Sequence, residues 1–277
     1  MSVSFHHLAP GLSNAVLALS QTPLVKQVNE TIWIFAAVET LHLLSLAVLG
    51  GAVFALNLRL LGVALQNVPA RDVERATRPW LWGGILGTIV TGSGMALATA
   101  GGLVGSAAFF VKMVALVAAI LLSLAVSRLV RQEPADSRGI ASALAVVALA
   151  LWAGSILLFA STNGIRAGAL LVALASFGLF AAFTQHYRRL YVVAVGAIVG
   201  GGLLFAEFWP ASRQDPAVAQ TVYFATVGGA LLVALVVALA ESRSRAEPAP
   251  GLHRLPAFAS TLAWVSVAAA GRWIGFS

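Results

Sequence analysis

Residues 31–56 read TIWIFAAVETLHLLSLAVLGGAVFAL, an apolar run whose only ionisable members are Glu39 and His42. A helix of about 20 apolar residues, rising 1.5 Å per residue, crosses the hydrocarbon core of a bilayer. The run therefore predicts a membrane span. Residues at i and i+3 share a helix face, so the carboxylate and the imidazole point the same way. Ionisable groups inside a span are costly and tend to face a bundle interior, where they mark function.

The rest of the chain repeats the pattern. Of its 277 residues 60% are hydrophobic and 10% charged, with a mean hydropathy of +0.92. A soluble domain carries about 25% charge, so the composition predicts an all-α polytopic membrane protein. Eight spans are expected, at about 31–56, 80–100, 107–130, 139–160, 165–183, 190–209, 217–240 and 256–276; seven is the count if span five or span eight fails. There are no cysteines, which excludes disulfides, thiolate metal sites, thioether-linked haem and Cys nucleophiles. Met1 to Glu30 lacks the basic start and apolar core of a cleavable signal.

Twelve of the 17 basic residues fall in the loops after spans one, three, five and seven. By the positive-inside rule those loops are cytoplasmic and both termini lie on the periplasmic side of an inner (plasma) membrane. Residues 1–30 read as an amphipathic segment on the outer surface, with Leu12, Val16, Leu19, Leu24 and Val28 at helical spacing around Thr22-Pro23. The loop from Gly62 to Pro79 is expected to hold a short cytoplasmic helix around Arg71-Asp72-Val73-Glu74-Arg75. Residues 31–160 and 165–277 form two units of four spans each. A 4+4 parallel repeat is read from Gly87 to Gly92 against Gly196 to Gly201, and from Ala153-Gly154-Ser155 against Ala270-Gly271-Arg272. Chance matches among Ala/Gly/Val helices are the competing account.

With this orientation Glu39 and His42 lie roughly 12–17 Å below the outer end of span one. Lys112, Arg272 and Met95 fall in the same outer half, and Met113 adjoins Lys112. Groups at one depth can satisfy one another. Four readings of this layer stay open. His42 is an axial ligand of haem b, with Lys112 and Arg272 on the propionates, Met95 as the second ligand and Gly92 and Gly94 admitting the flat ring; a periplasmic or membrane redox partner would then be expected. His6, His7, His42, Met95 and Met113 pass copper inward. Glu39 and His42 form a proton or quinone site. Or the layer only locks helices together, in a cofactor-free structural or partner-binding subunit. Lys112 and Arg272 are close enough to helix ends to snorkel. Asn57 and Arg59 read as cytoplasmic anchors, and Trp33, Trp80, Trp82, Trp209 and Trp273 as an interfacial belt. No Ser-His-Asp set, phosphate loop or His-Glu-x-x-His motif occurs, so an enzyme acting alone is not expected. The scattered arginines give no nucleic-acid surface.

Trp33-Ile34-Phe35, Glu39-Thr40-Leu41-His42-Leu43-Leu44, Leu58-Arg59-Leu60-Leu61-Gly62, Lys112-Met113 and Ala270-Gly271-Arg272-Trp273-Ile274 together resemble a group of uncharacterised bacterial inner-membrane proteins, some distantly likened to the CopD copper-resistance family. The resemblance implies a unit of about four spans, with the Glu-Thr-x-His helix first and the Gly-Arg-Trp helix last. It implies a site shared by spans one, two, three and eight, and CopD-like kinship would favour copper. Here spans four to seven intervene, and with three methionines in all a Met-rich copper relay is missing.

Overall fold

The structure, a computed structural model, describes residues 4, 6, 9–131, 135–161, 166–184, 186–210, 214–243 and 254–276. Among them every regular element is helical. Two short helices come first, α1 (Pro10–Ser20) and α2 (Pro23–Glu30), separated at the Thr22-Pro23 step because proline cannot continue a helix but suits its first turn. Then follow α3 (Ile32–Leu61), α4 (Ala70–Ala98), α5 (Ala100–Leu103), α6 (Ala107–Arg131), α7 (Ala135–Ser161), α8 (Arg166–Phe183), α9 (Arg188–Phe208), α10 (Pro216–Arg243) and α11 (Arg254–Trp273). A 3-10 turn, Ile274–Phe276, follows.

Six of these are long and apolar enough to cross a membrane: Trp33–Leu61, Ala70–Ala98, Ala107–Arg131, Ile140–Ala160, Arg188–Phe208 and Pro216–Ala240. Leucines and valines such as Leu86, Val146, Val193 and Leu232 stand exposed on their outer faces, where lipid rather than water suits them. The chain thus has the helices of a multi-pass integral membrane protein. Among the described residues α8 and α11 are not in this set. α11 carries Ser260, Thr261 and Ser266 on surfaces that meet other helices, and all three are buried.

α11 packs most extensively on α6, and also on α3, α8 and α7. Small residues let it come close, since Ala257, Ser260, Ala263 and Ala270 are 0% exposed, as are Ala108, Ala115, Ala118 and Ala119 of α6. Without a hydrophobic drive between helices in lipid, such close packing and interhelical hydrogen bonds supply the association. The bonds are present. Asn57 Nδ2 of α3 donates to Thr261 Oγ1 at 3.2 Å, Trp264 Nε1 donates to Ser123 Oγ of α6 at 2.9 Å, and Trp152 Nε1 of α7 donates to Ser266 Oγ at 2.9 Å. Ser123 and Ser260 share a further bond at 3.3 Å. Asn57 is therefore a buried link between helices, 2% exposed, and not the cytoplasmic anchor expected from sequence.

α3 and α4 form the tightest antiparallel pair. A Cβ at Gly84 would stand 2.7–2.8 Å from the Cβ, Cα and N of Leu49, so only glycine lets the two backbones touch there. The pairing Leu49/Gly84, Ser45/Gly87 and His42/Gly92 then sets the register along both helices. The two sets of four long helices do not pack alike. α3 and α4 meet closely while α8 and α9 touch only lightly, and α6 pairs along its length with α7 whereas α10 and α11 share little contact among the described residues.

One boundary differs from expectation. The loop predicted up to Pro79 ends at Pro69, and α4 runs unbroken from Ala70 with Pro79 inside it. Proline there forgoes one backbone bond, and the ion pairs described below hold the turns before it. Trp33, Trp80, Trp82 and Trp209 are exposed as a belt requires, while Trp273 packs edge-on against Phe159 with ring centroids 6.3 Å apart.

Candidate functional site

Helix register decides which polar groups share a depth. Ser127 Oγ of α6 donates to Glu74 Oε1 of α4 at 2.6 Å. The two helices are antiparallel, so the fourteen residues from Glu74 to Thr88 match the fourteen from Ser127 back to Met113, beside Lys112. The Ser123–Ser260 contact likewise sets α6 against α11, and eleven residues along each helix bring Lys112 level with Gly271. On the other flank His42 of α3 meets Thr91 and Gly92 of α4. One layer therefore holds His42, Thr88, Thr91, Lys112 and Gly271. It lies about 21 Å along the helix axis from Glu74.

In this outer layer His42 is half-buried, and its Nδ1 lies 2.8 Å from Thr91 Oγ1. The Thr91 hydroxyl spends its single proton on Gly87 O at 2.6 Å. Thr91 Oγ1 can then only accept, so His42 Nδ1 must be the donor. In the neutral ring the lone pair consequently sits on Nε2, which has no hydrogen-bond partner among the described residues. Fixing one nitrogen by a hydrogen bond to present the other is how proteins orient histidine ligands and proton acceptors. The ring's seat is Gly92, where a Cβ would stand 3.1 Å from His42 Cε1. Gly94 faces Val38, 3.9 Å from its Cγ1 by the same construction. Both glycines expected to admit a flat cofactor are thus taken up by the α3–α4 contact.

Lys112 is half-buried with its chain against α11: a Cβ at Gly271 would be 3.6 Å from Lys112 Cε and 3.7 Å from Nζ. The amine thus lies against the next helix at Gly271. Lys112 and Glu39 are both within electrostatic reach of His42, yet Glu39 itself is exposed and no ion pair joins it to Lys112. Arg272 is exposed and not without partners. Met95 is half-buried one turn beyond Thr91 on the same face of α4, and Met113 is half-buried beside Lys112. The five residues singled out from sequence thus divide: His42, Met95 and Lys112 are half-buried, and Glu39 and Arg272 are exposed. His7 lies outside the described residues, and His6 is exposed near Ser13. Among the described residues no three of His, Cys, Asp and Glu come together as a metal group.

Thr88 completes the layer and escaped the sequence reading. It is 7% exposed, and its Oγ1 is buried with no hydrogen-bond partner. Thr40, Thr77, Thr91, Thr226 and Thr261 each donate to the carbonyl four residues back. Thr88 does not.

The second polar centre lies at the Arg-rich end. Glu74 is 1% exposed and accepts three hydrogen bonds. Arg78 Nε reaches Oε1 at 2.8 Å and Arg78 Nη2 reaches Oε2 at 2.5 Å, the two-pronged geometry that suits guanidinium and carboxylate. Ser127 adds the third bond and Arg131 Nε stands 3.8 Å away. A narrow crevice with room for about one water, roughly 10 Å³, is lined here by Asn57, Glu74, Arg78, Ser123 and Ser127 with apolar walls from α3 and α4. Sequence reading placed Glu74 on a surface helix. Its signal was the helical phase, since Val73, Glu74, Thr77, Leu81, Ile85 and Thr88 fall on one face of α4.

No curated protein and no solved structure matches the chain. A family model does match, over residues 24–169, a stretch that runs from α2 to the start of α8 and includes His42, Glu74, Thr88, Thr91 and Lys112. Because the match spans more than half of the chain, the protein belongs to that family, the family of unknown function DUF6644.

Proposed function

We propose that the chain is an inner-membrane protein of eight spans, with α8 and α11 crossing among the other six and both termini on the periplasmic side. In this reading its functional residue is His42, which presents Nε2 to a bound group in the outer half of the bilayer. The observation that carries it is the Thr91 arrangement: a threonine whose own proton is committed to Gly87 O leaves the imidazole one way to bond, and so fixes the ligating nitrogen. The antiparallel run of α6 against α11 supports the eight-span topology, since it places α11 across the same depth as α6.

The donor set favours haem b as that group. One imidazole suffices for an iron already held by four porphyrin nitrogens, whereas a bare ion needs several protein donors. His42 would hold the iron and Lys112 would stand near the ring's acidic edge; haem when bound supplies one-electron chemistry, with a membrane or periplasmic redox partner. A second reading, copper handling in the manner the CopD resemblance suggests, is favoured by Met95, which offers a thioether one turn from Thr91 on the face turned to α3.

The test is a visible spectrum of the purified chain from haem-replete cells, oxidised and dithionite-reduced, with metal analysis of the same sample. A Soret band lost in His42→Ala is the expected result. Copper without a Soret band establishes the second reading, and neither haem nor metal leaves a cofactor-free membrane subunit.

A further inference from the structure

We propose that the layer at Lys112 and Thr88 is a binding place for a single oxyanion, a carboxylate or phosphodiester, carried by an apolar molecule. The proposal builds on the outer layer as a ligand site but not on what His42 binds.

Three observations carry it. First, Lys112 is half-buried against Gly271 and has no acid within ion-pair distance among the described residues. A half-buried cation without a counter-charge is costly, and the amine of Lys112 lies against Gly271 of the neighbouring helix. Second, Thr88 Oγ1 is a buried hydroxyl with no partner, in a helix where the neighbouring threonines Thr77 and Thr91 do bond their own backbone. An unmade bond at a buried hydroxyl costs free energy unless something outside the chain completes it. Third, the Glu74–Ser127 register brings Thr88 level with Met113, beside Lys112, so one donor and one cation occupy a single depth. A cation plus a hydroxyl donor is the complement of an oxyanion. The depth, inside the bundle's outer half, requires the rest of the ligand to be apolar. An anionic lipid and a porphyrin carboxylate both meet that description.

The test uses the purified full chain in neutral detergent and two matched pairs of probes: phosphatidylglycerol against phosphatidylcholine, and metal-free protoporphyrin IX against its dimethyl ester. In one pair the acidic member should bind roughly tenfold or more tightly than its neutral mate, the range expected of a charged hydrogen bond. Which pair responds names the source. Lys112→Met should erase the preference, Lys112→Arg should keep part of it, and Thr88→Val should weaken it a few-fold. Equal binding within both pairs overturns the proposal, as does a preference that survives Lys112→Met. A missing Soret band would sink the haem reading without touching this result, and a Soret band with no acid preference would do the reverse.

Discussion

The two polar centres of this protein stand about 21 Å apart along the helices and are built on opposite rules. At the Arg-rich end Glu74 accepts two hydrogen bonds from Arg78 and one from Ser127, with Arg131 at ion-pair distance. In the layer at His42, among the described residues, His42 Nε2 and Thr88 Oγ1 have no hydrogen-bond partner and Lys112 has no counter-ion. Glu74 is buried while His42 and Lys112 are half-buried, so the two centres differ in burial as well as in hydrogen bonding.

That contrast breaks or holds on graded measurements of unfolding in mixed micelles. The largest effect belongs to Glu74→Ala, which strands two guanidinium groups and should cost about 3–5 kcal/mol; a loss under 1 kcal/mol would mean the inner centre is no lock. Gly84→Val drives a side chain into the Leu49 backbone and should cost about 1–3 kcal/mol, with α3 and α4 prised apart. Thr91→Val removes one hydrogen bond, about 1 kcal/mol, and its sharper readout is any Soret or metal signal, which should weaken as His42 loses its fixed proton. Smallest is Lys112→Met. With no ligand bound it should be neutral or slightly stabilising, because it relieves an uncompensated charge. If it destabilised the protein as much as Glu74→Ala does, the two centres would be alike and the contrast would fall.

The helical bundle was legible because spans are written in long apolar runs that need no knowledge of partners. The start of α4 was not. Arg71, Asp72, Glu74 and Arg75 lower the local hydropathy and Pro79 mimics a stop, so residues 70–79 read as loop. Only the phase of Val73, Glu74, Thr77 and Leu81, carried back from the span, shows that the helix continues. His42 and Lys112 were visible as costly residues at one depth. Their partners were not, since hydrogen-bond completeness is a property of three dimensions and Thr88 looks like any helical threonine. Glu39 shares a face with His42, yet the 60° between residues three apart is enough to turn one outward while the other meets Gly92.

The placing of α11 bears on how the protein is made. This helix follows in sequence each of α3, α6, α7 and α8 that it touches, and its Ser260, Thr261, Trp264 and Ser266 hydrogen-bond to side chains of α3, α6 and α7. A segment of that kind is poorly served by lipid and well served by a slot already furnished with Asn57, Ser123 and Trp152. Its neighbours would have to be in the bilayer before it arrives, holding open a groove with hydrogen-bonding walls. Synthesis order would then set assembly order, and α11 would enter as the closing wedge.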